Sequence, residues 1–430
     1  MRKLKCKVST RRYVMYEGRG DARSPVLMLA AIFVAIAMLG APQAESSWHI
    51  DVVDSAGVVG LWTSLGLDSN GHAHISYVDG SYFDGEKLKY ARWTGSGWAV
   101  EVVENVKASH TAIALDSNGY PHISYHDEIH LKYAHWIGGA WAIETVDSAG
   151  DVGMYTSLAL DSGGNAHISY FDYGNEDLKY ARWTGTAWDI TTVDNAGGVV
   201  MGTSLALDSN GYAHISYLDY PNYDLKYARW TGSTWDITTV DSDSTVWMGT
   251  SLALDGNGYA HISYCDAGND DLKYARWTGS AWAIGTVDSA GDVGVFTSLA
   301  LDSNGYPHIS YYNASNKDLK YARWTGSAWA IETVDSAGDV GSRNSLALDS
   351  KGCAHISYFD ETNDDLKYAR LIGDTDGDGI GWIEDHWWII PFIVIILAMV
   401  ALAVYKLRGK KGPGKVERDE GLLPPPPNTQ

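Results

Sequence analysis

An all-β, seven-bladed β-propeller is the fold this sequence predicts, on three observations. A unit of about 47 residues is written seven times, each copy holds four short strand-like runs, and the one strand missing at the end of the array is found at its beginning. The unit reads LALDSNGYxHISYxD…DLKYARWTGSxWxIxTVDSAG. Its Leu-Asp aspartate falls at Asp68, Asp116, Asp161, Asp208, Asp255, Asp302 and Asp349, at spacings of 48, 45, 47, 47, 47 and 47 residues. Units of this length built from strands are too small to bury their own faces and become stable only when stacked on neighbours.

Residues 204–241 show one unit in full. SLALD, AHISYLD, DLKYARW and WDITTVD are runs of five to seven residues rich in β-branched and aromatic side chains. Asp208-Ser209-Asn210-Gly211 and Thr231-Gly232-Ser233 separate them with Asx-turn formers and glycines suited to short hairpins. No apolar residues recur at helical spacing within the units. The seventh unit stops at Lys367-Tyr368-Ala369-Arg370 without its last strand, and Trp48-His49-Ile50-Asp51-Val52-Val53-Asp54 matches Trp329-Ala330-Ile331-Glu332-Thr333-Val334-Asp335. The start of the propeller is therefore expected to close the ring and remove an open strand edge.

Outside the propeller (46–373) the chain divides by composition. Residues 1–44 carry eight Lys or Arg and then an apolar run, 26–41, which reads as a signal peptide or a signal anchor. Residues 374–386 form an acidic linker, and 387–405 hold 17 uncharged residues behind Trp387 and Trp388, with Lys406, Arg408, Lys410 and Lys411 following. That order predicts a transmembrane helix with its aromatic belt outside and its positive end inside. Residues 406–430, basic and ending in a proline run, are expected to be a disordered cytoplasmic tail. The expected location is thus the cell membrane, single-pass, with a monomeric propeller extracellular.

Once the 14 basic and 5 acidic groups of residues 1–23 and 406–430 are set aside, residues 24–405 keep 18 basic against 48 acidic groups. So negative a surface repels phosphate backbones, so nucleic acid is excluded as a partner. The same acidity also serves solubility or adaptation to salt. Of the three cysteines, Cys265 and Cys353 occupy unlike places in their units, so no disulfide framework is expected.

Most chemistry-bearing residues recur once per unit and are expected to be framework. His74, His122, His167, His214, His261, His308 and His355 stand at identical places around a ring, too far apart to share a metal ion. The tryptophans that open the fourth strands and the Lys-Tyr-Ala-Arg-Trp runs fall under the same expectation. The LDSNG turn resembles the Asp-box of sialidase-like propellers, and the D-x-x-G…L-x-x-x-x-W…W order is similar to that of fucose-binding lectin propellers. The resemblance covers residues 47–372. It departs from the Asp-box at Ala206, which stands where that motif has Ser or Thr two residues before the Asp. It implies a carbohydrate-facing ectodomain, in which such turns are structural.

Function is expected where the repeat is broken. Just before the innermost strand one position reads Trp62, His110, Tyr155, Gly202, Gly249, Phe296 and Arg343 in successive units. Seven such positions would ring the mouth of the central channel on the end that also carries the long loops, with 28 of the 48 acids. Trp62, His110, Tyr155, Phe296 and Arg343 are the candidate ligand-binding residues: aromatic rings for apolar faces of a sugar or peptide, with polar loops around them. Drift at an exposed loop end is the competing account. The second unit has a hairpin two residues short, His126-Asp127-Glu128-Ile129-His130, whose histidines and a carboxylate are a zinc candidate set against a merely shortened turn. Asp374-Thr375-Asp376-Gly377-Asp378-Gly379-Ile380 matches the first seven positions of a calcium loop and resembles the DxDxDG loops of EF-hand-like and thrombospondin type 3 repeats. Asp374, Asp376, Asp378 and Asp385 are its candidate Ca²⁺ ligands, with Glu384 one place early for the usual bidentate position.

Catalysis is not the leading expectation. Every arginine of the ectodomain except Arg343 occupies the KYARW slot, no HExxH, GxSxG or phosphate loop is present, and no clustered trio of acid, base and arginine is legible. The reading is a membrane-anchored, cell-surface binding module for a glycan or a surface protein. An extracellular glycosidase or lyase, or a structural envelope protein, is the alternative.

Overall fold

The computed structural model describes residues 47–81, 84–195, 200–220 and 222–372. These form 28 strands, β1 to β28 in chain order, in seven four-stranded sheets, and no helix occurs among the described residues. The first blade is Val59–Leu67 (β2), Ala73–Ser81 (β3), Asp84–Trp93 (β4) and Trp98–Glu104 (β5), hydrogen-bonded in that order from channel to rim. The seventh is Val340–Leu348 (β26), Ala354–Asp360 (β27) and Asp365–Ile372 (β28), completed by Ser47–Asp54 (β1). Strand β1 lies antiparallel to β28, with Trp48 opposite Leu371 and Ile50 opposite Ala369. The expected closure is the observed one. The signal segment, the calcium-loop residues Asp374, Asp376, Asp378 and Asp385, the 387–405 span and the tail all lie outside the described residues.

Each second strand is covered on both faces by neighbouring blades, which is why Ala166–Asp172 is buried throughout. In the first blade Ile75 and Tyr77 sit on one face at 0% exposure, and His74 and Ser76 sit on the other. Polar groups buried this way need partners. The imidazole Nδ1 of His74 meets the Tyr90 hydroxyl at 2.5 Å, a pairing that recurs in every blade through His355 and Tyr368. Ser76 Oγ reaches Thr111 of the next blade at 2.7 Å, and Thr63 donates to Ser357 at 2.8 Å, so a belt of side-chain hydrogen bonds joins the second strand of each blade to the innermost strand of the next around the ring.

At the rim the framework reading of the repeated tryptophans holds. Trp98 packs edge-on against Tyr368 of the preceding blade at 5.0 Å, and Trp48 against Tyr321 at 5.3 Å. The acid closing each fourth strand latches the following blade. Asp54 accepts from Tyr77 at 2.6 Å and from Lys89 at 2.8 Å, and Asp241 likewise from Tyr264 and Lys273. Burial works against the Asp241 carboxylate, but hydrogen bonds from Tyr264, Ser244 and Lys273 outweigh it and bring its pKa down to about 2. Much of the acidity of the loop face is therefore engaged internally. Cys265 and Cys353 are both buried.

Candidate functional site

The innermost strands do not pair evenly. Their register against the second strands shifts between Leu61 and Ser64, between Ser109 and Ala112, and at the matching place in the other blades. Each shift is a bulge, and the extra residue is the one that varies from blade to blade. It adopts a left-handed backbone: φ is 53° at Trp62, 52° at His110 and Tyr155, 54° at Phe296 and 50° at Arg343, with Gly202 at 63° and Gly249 at 97°. For a residue with a side chain this conformation costs roughly 1–2 kcal/mol, and glycine escapes the cost. Gly202 and Gly249 show that the fold accepts glycine here. A Cβ on Gly202 would meet the Gly249 Cα at 2.4 Å, so a side chain there has no room.

The five side chains form one continuous stack over consecutive blades. The Arg343 guanidinium lies 5.2 Å from the Phe296 ring centre and 4.3 Å from that of Trp62. Trp62 is 3.9 Å from His110, and His110 is 4.4 Å from Tyr155. The arc opens at the two glycines, where Trp247 completes the wall of a cavity of about 360 Å³, within the ~300–1,000 Å³ range of small-molecule sites. Its floor is the threonine belt with Asn344. Among the described lining residues there is no carboxylate, and Arg343, 5% exposed, carries the charge. Burial drives the His110 pKa well below its ordinary value, with smaller pushes from His126 and Arg343, so its ring is neutral at pH 7.

The second blade adds a chain of hydrogen bonds behind the mouth. His110 Nδ1 is 3.0 Å from Ser109 Oγ, which is 3.1 Å from His126 Nδ1, and His126 Nε2 is 3.2 Å from Asp151 Oδ1. His126 and His130 do not converge: His130 pairs with Asp127 at 3.2 Å. Among the described residues no group of three or more His, Cys, Asp or Glu side chains is placed to hold a metal ion.

His110, Tyr155 and Arg343, one from each of three blades, meet at one cavity. One point was not legible in the sequence: the Lys-Tyr-Ala-Arg-Trp strand is not buried throughout. Its Lys, Tyr and Ala face the interior, whereas the Arg182 and Arg229 side chains are 47% and 51% exposed. With Trp230, Tyr259 and Trp277, Arg229 lines a cleft of about 400 Å³ between the fourth and fifth blades, on the end of the ring carrying the Asp-Ser-Asn-Gly turns. Exposure here changes along the strand and not between its faces, so a period-2 reading does not detect it.

No protein-family model matches the sequence, and no curated protein matches it. Solved structures do. A polysaccharide lyase of family PL25, an ulvan lyase bound to -[GlcA(1-4)Rha3S]-, is 14% identical over 72% of this chain and 91% of its own, with a TM-score of 0.51. A protein of unknown function from Dyadobacter fermentans is 12% identical over 77% of this chain and 99% of its own, with a TM-score of 0.50. A mutant of the Aleuria aurantia lectin, in complex with Fucα1-6GlcNAc, is 15% identical over 64% of this chain and 95% of its own, with a TM-score of 0.47. At these identities the likeness is one of fold, which is that of a seven-bladed β-propeller.

Proposed function

We propose that this protein is a glycan-binding module displayed outside the cell, anchored by the 387–405 segment, with its binding site at the mouth of the channel. The observation that carries the reading is the retention of Trp62, His110, Tyr155, Phe296 and Arg343 in a left-handed backbone where glycine is accepted. Drift at a neutral loop end favours the unstrained residue, so bulky side chains kept at a conformational cost argue for a role. Aromatic walls over a belt of hydroxyls match the two surfaces of a sugar ring. The PL25 lyase that shares the fold holds a glycan, which supports a carbohydrate as ligand ahead of a surface protein. A glycan array probed with the full chain tests this. Binding that Trp62→Ala abolishes supports the site; no binding, or binding indifferent to Trp62, refutes it.

The cluster of His110, Tyr155 and Arg343 favours a second reading, an extracellular glycosidase or lyase. New chain ends released from an array-positive glycan would establish it; an intact glycan after prolonged incubation would leave the binding module.

A further inference from the structure

The second blade departs from the first, third and fourth at three residues that touch one another. In the first, third and fourth blades the pair flanking the bulge is apolar: Leu61 opposite Val78, Met154 opposite Phe171, Met201 opposite Leu218. In the second blade it is Ser109 opposite His126. His126 is 3% exposed, in a slot where Phe171 and Leu218 are fully buried. A buried polar pair replacing a hydrophobic one forfeits packing free energy and stays tolerable only when its hydrogen bonds are made. They are made, and they run without a break from Asp151, 37% exposed, to His110 in the cavity wall.

The chain also sets where the protons are. The Asp151 carboxylate can only accept, so His126 carries its proton on Nε2. Its Nδ1 is then a bare acceptor, and the Ser109 hydroxyl must donate to it. Ser109 Oγ in turn accepts from Nδ1–H of His110. With both rings neutral, this is the one assignment that makes all three hydrogen bonds. It leaves His110 Nε2 without a proton, and that atom is buried with no hydrogen-bond partner among the described residues. An unmet buried acceptor is costly, and a ligand hydroxyl would recover that cost. On the other side of the Trp62 contact lies the Arg343 guanidinium, in a lining with no carboxylate among the described residues.

We propose that the channel mouth binds an acidic sugar unit, its carboxylate on Arg343 and a ring hydroxyl donating to His110 Nε2, with Ser109, His126 and Asp151 as positioning residues that hold His110 as an acceptor. This rests on the glycan-binding reading above and narrows it to uronates. The ring faces supply stacking to any pyranose; the acceptor and the cation together select a ligand that is at once hydroxylated and anionic. The net negative charge of the ectodomain slows the approach of such a ligand, but that field is screened within about 10 Å at 0.1 M salt, while the Arg343 contact acts at closer range.

The test compares binding of glucuronate, galacturonate, mannuronate and iduronate with the hexoses that carry CH₂OH in place of the carboxylate, using the full chain in detergent. At least one uronate should bind about tenfold tighter than its neutral counterpart, and Arg343→Gln should erase the difference. The paired substitution Ser109→Met with His126→Leu recreates the Met201–Leu218 pair of the fourth blade, so it is expected to fold with its melting temperature unchanged. It should weaken uronate binding about tenfold. Nitrogen-15 spectra of the imidazoles should show His110 protonated on Nδ1 in the parent chain, a signature that a merely structural role for His126 would not set. Hexoses binding as well as uronates would overturn the proposal and leave the glycan-binding reading standing. Failure of uronates and hexoses alike would sink both. His110 protonated on Nε2, or a paired variant that folds and binds uronate unchanged, would remove the positioning role.

Discussion

Lowering the pH from 7.5 to 5.0 should destabilise the propeller steeply. His74, His122, His214, His261 and His308 are buried against the Asp-box-like turns, and burial brings each pKa from 6.5 down to about 4, the neighbouring aspartates offsetting only part of the effect. His167 moves the same way. The folded protein thus favours the neutral ring. The stability this provides is complete above pH 6.5, where folded and unfolded chains are both neutral, and is lost as pH falls from 6.5 toward 4, because the unfolded chain takes up the protons first. Each ring forfeits about 1.4 kcal/mol per pH unit in that window. Five rings together lose about 10 kcal/mol by pH 5, comparable to the whole stability of a typical domain at ~5–15 kcal/mol. At ~2.1 cal/mol/K per residue of unfolding entropy, that corresponds to a fall in melting temperature of roughly 15 °C for a propeller of this size. Relief of repulsion among exposed carboxylates acts in the opposite sense, but it begins mainly below pH 4.5 and so outside the window. Thermal unfolding followed by tryptophan fluorescence at constant ionic strength measures the effect. A melting temperature at pH 5.0 within two or three degrees, about the noise of a stability comparison, of that at pH 7.5 would refute the reasoning. His261→Gln should reduce the pH slope by about a fifth.

Other outcomes are expected from the same structure. Deleting residues 47–56 exposes the edge of β28 and should yield aggregated protein; a soluble truncation that melts cooperatively would count against strand closure. Asp241→Ala leaves Lys273 and Tyr264 without their shared carboxylate and should cost roughly 3 kcal/mol in urea unfolding. Phe296→Gly removes a ring but relieves a left-handed backbone, so its stability should change by under about 1 kcal/mol while array binding drops. Trp277→Ala, in the cleft between the fourth and fifth blades, should leave binding at the mouth intact; loss there with Trp62→Ala harmless would move the site to the repeated clefts. Calorimetric titration of the 366–388 segment with millimolar Ca²⁺ should release heat if Asp374, Asp376, Asp378 and Asp385 ligate as the motif implies, and a flat trace would remove calcium.

What the sequence by itself determined was everything that is local and repeated. Strand periodicity, turn chemistry and a period of about 47 residues specify a blade, and Trp48 to Asp54 matching Trp329 to Asp335 specifies the closure. The variable position at Trp62, His110, Tyr155, Phe296 and Arg343 was legible as a break in the repeat, because a near-identical array makes each exception visible. Its left-handed backbone was not, since the bulge exists only as a mismatch against the strand beside it. Nor was the chain from Asp151 to His110, which joins a loop between blades to the ends of two strands. Those relations belong to packing between blades: the ring places residues nearly 50 positions apart, such as Trp62 and His110, at 3.9 Å, and no spacing along the chain encodes which faces will meet there.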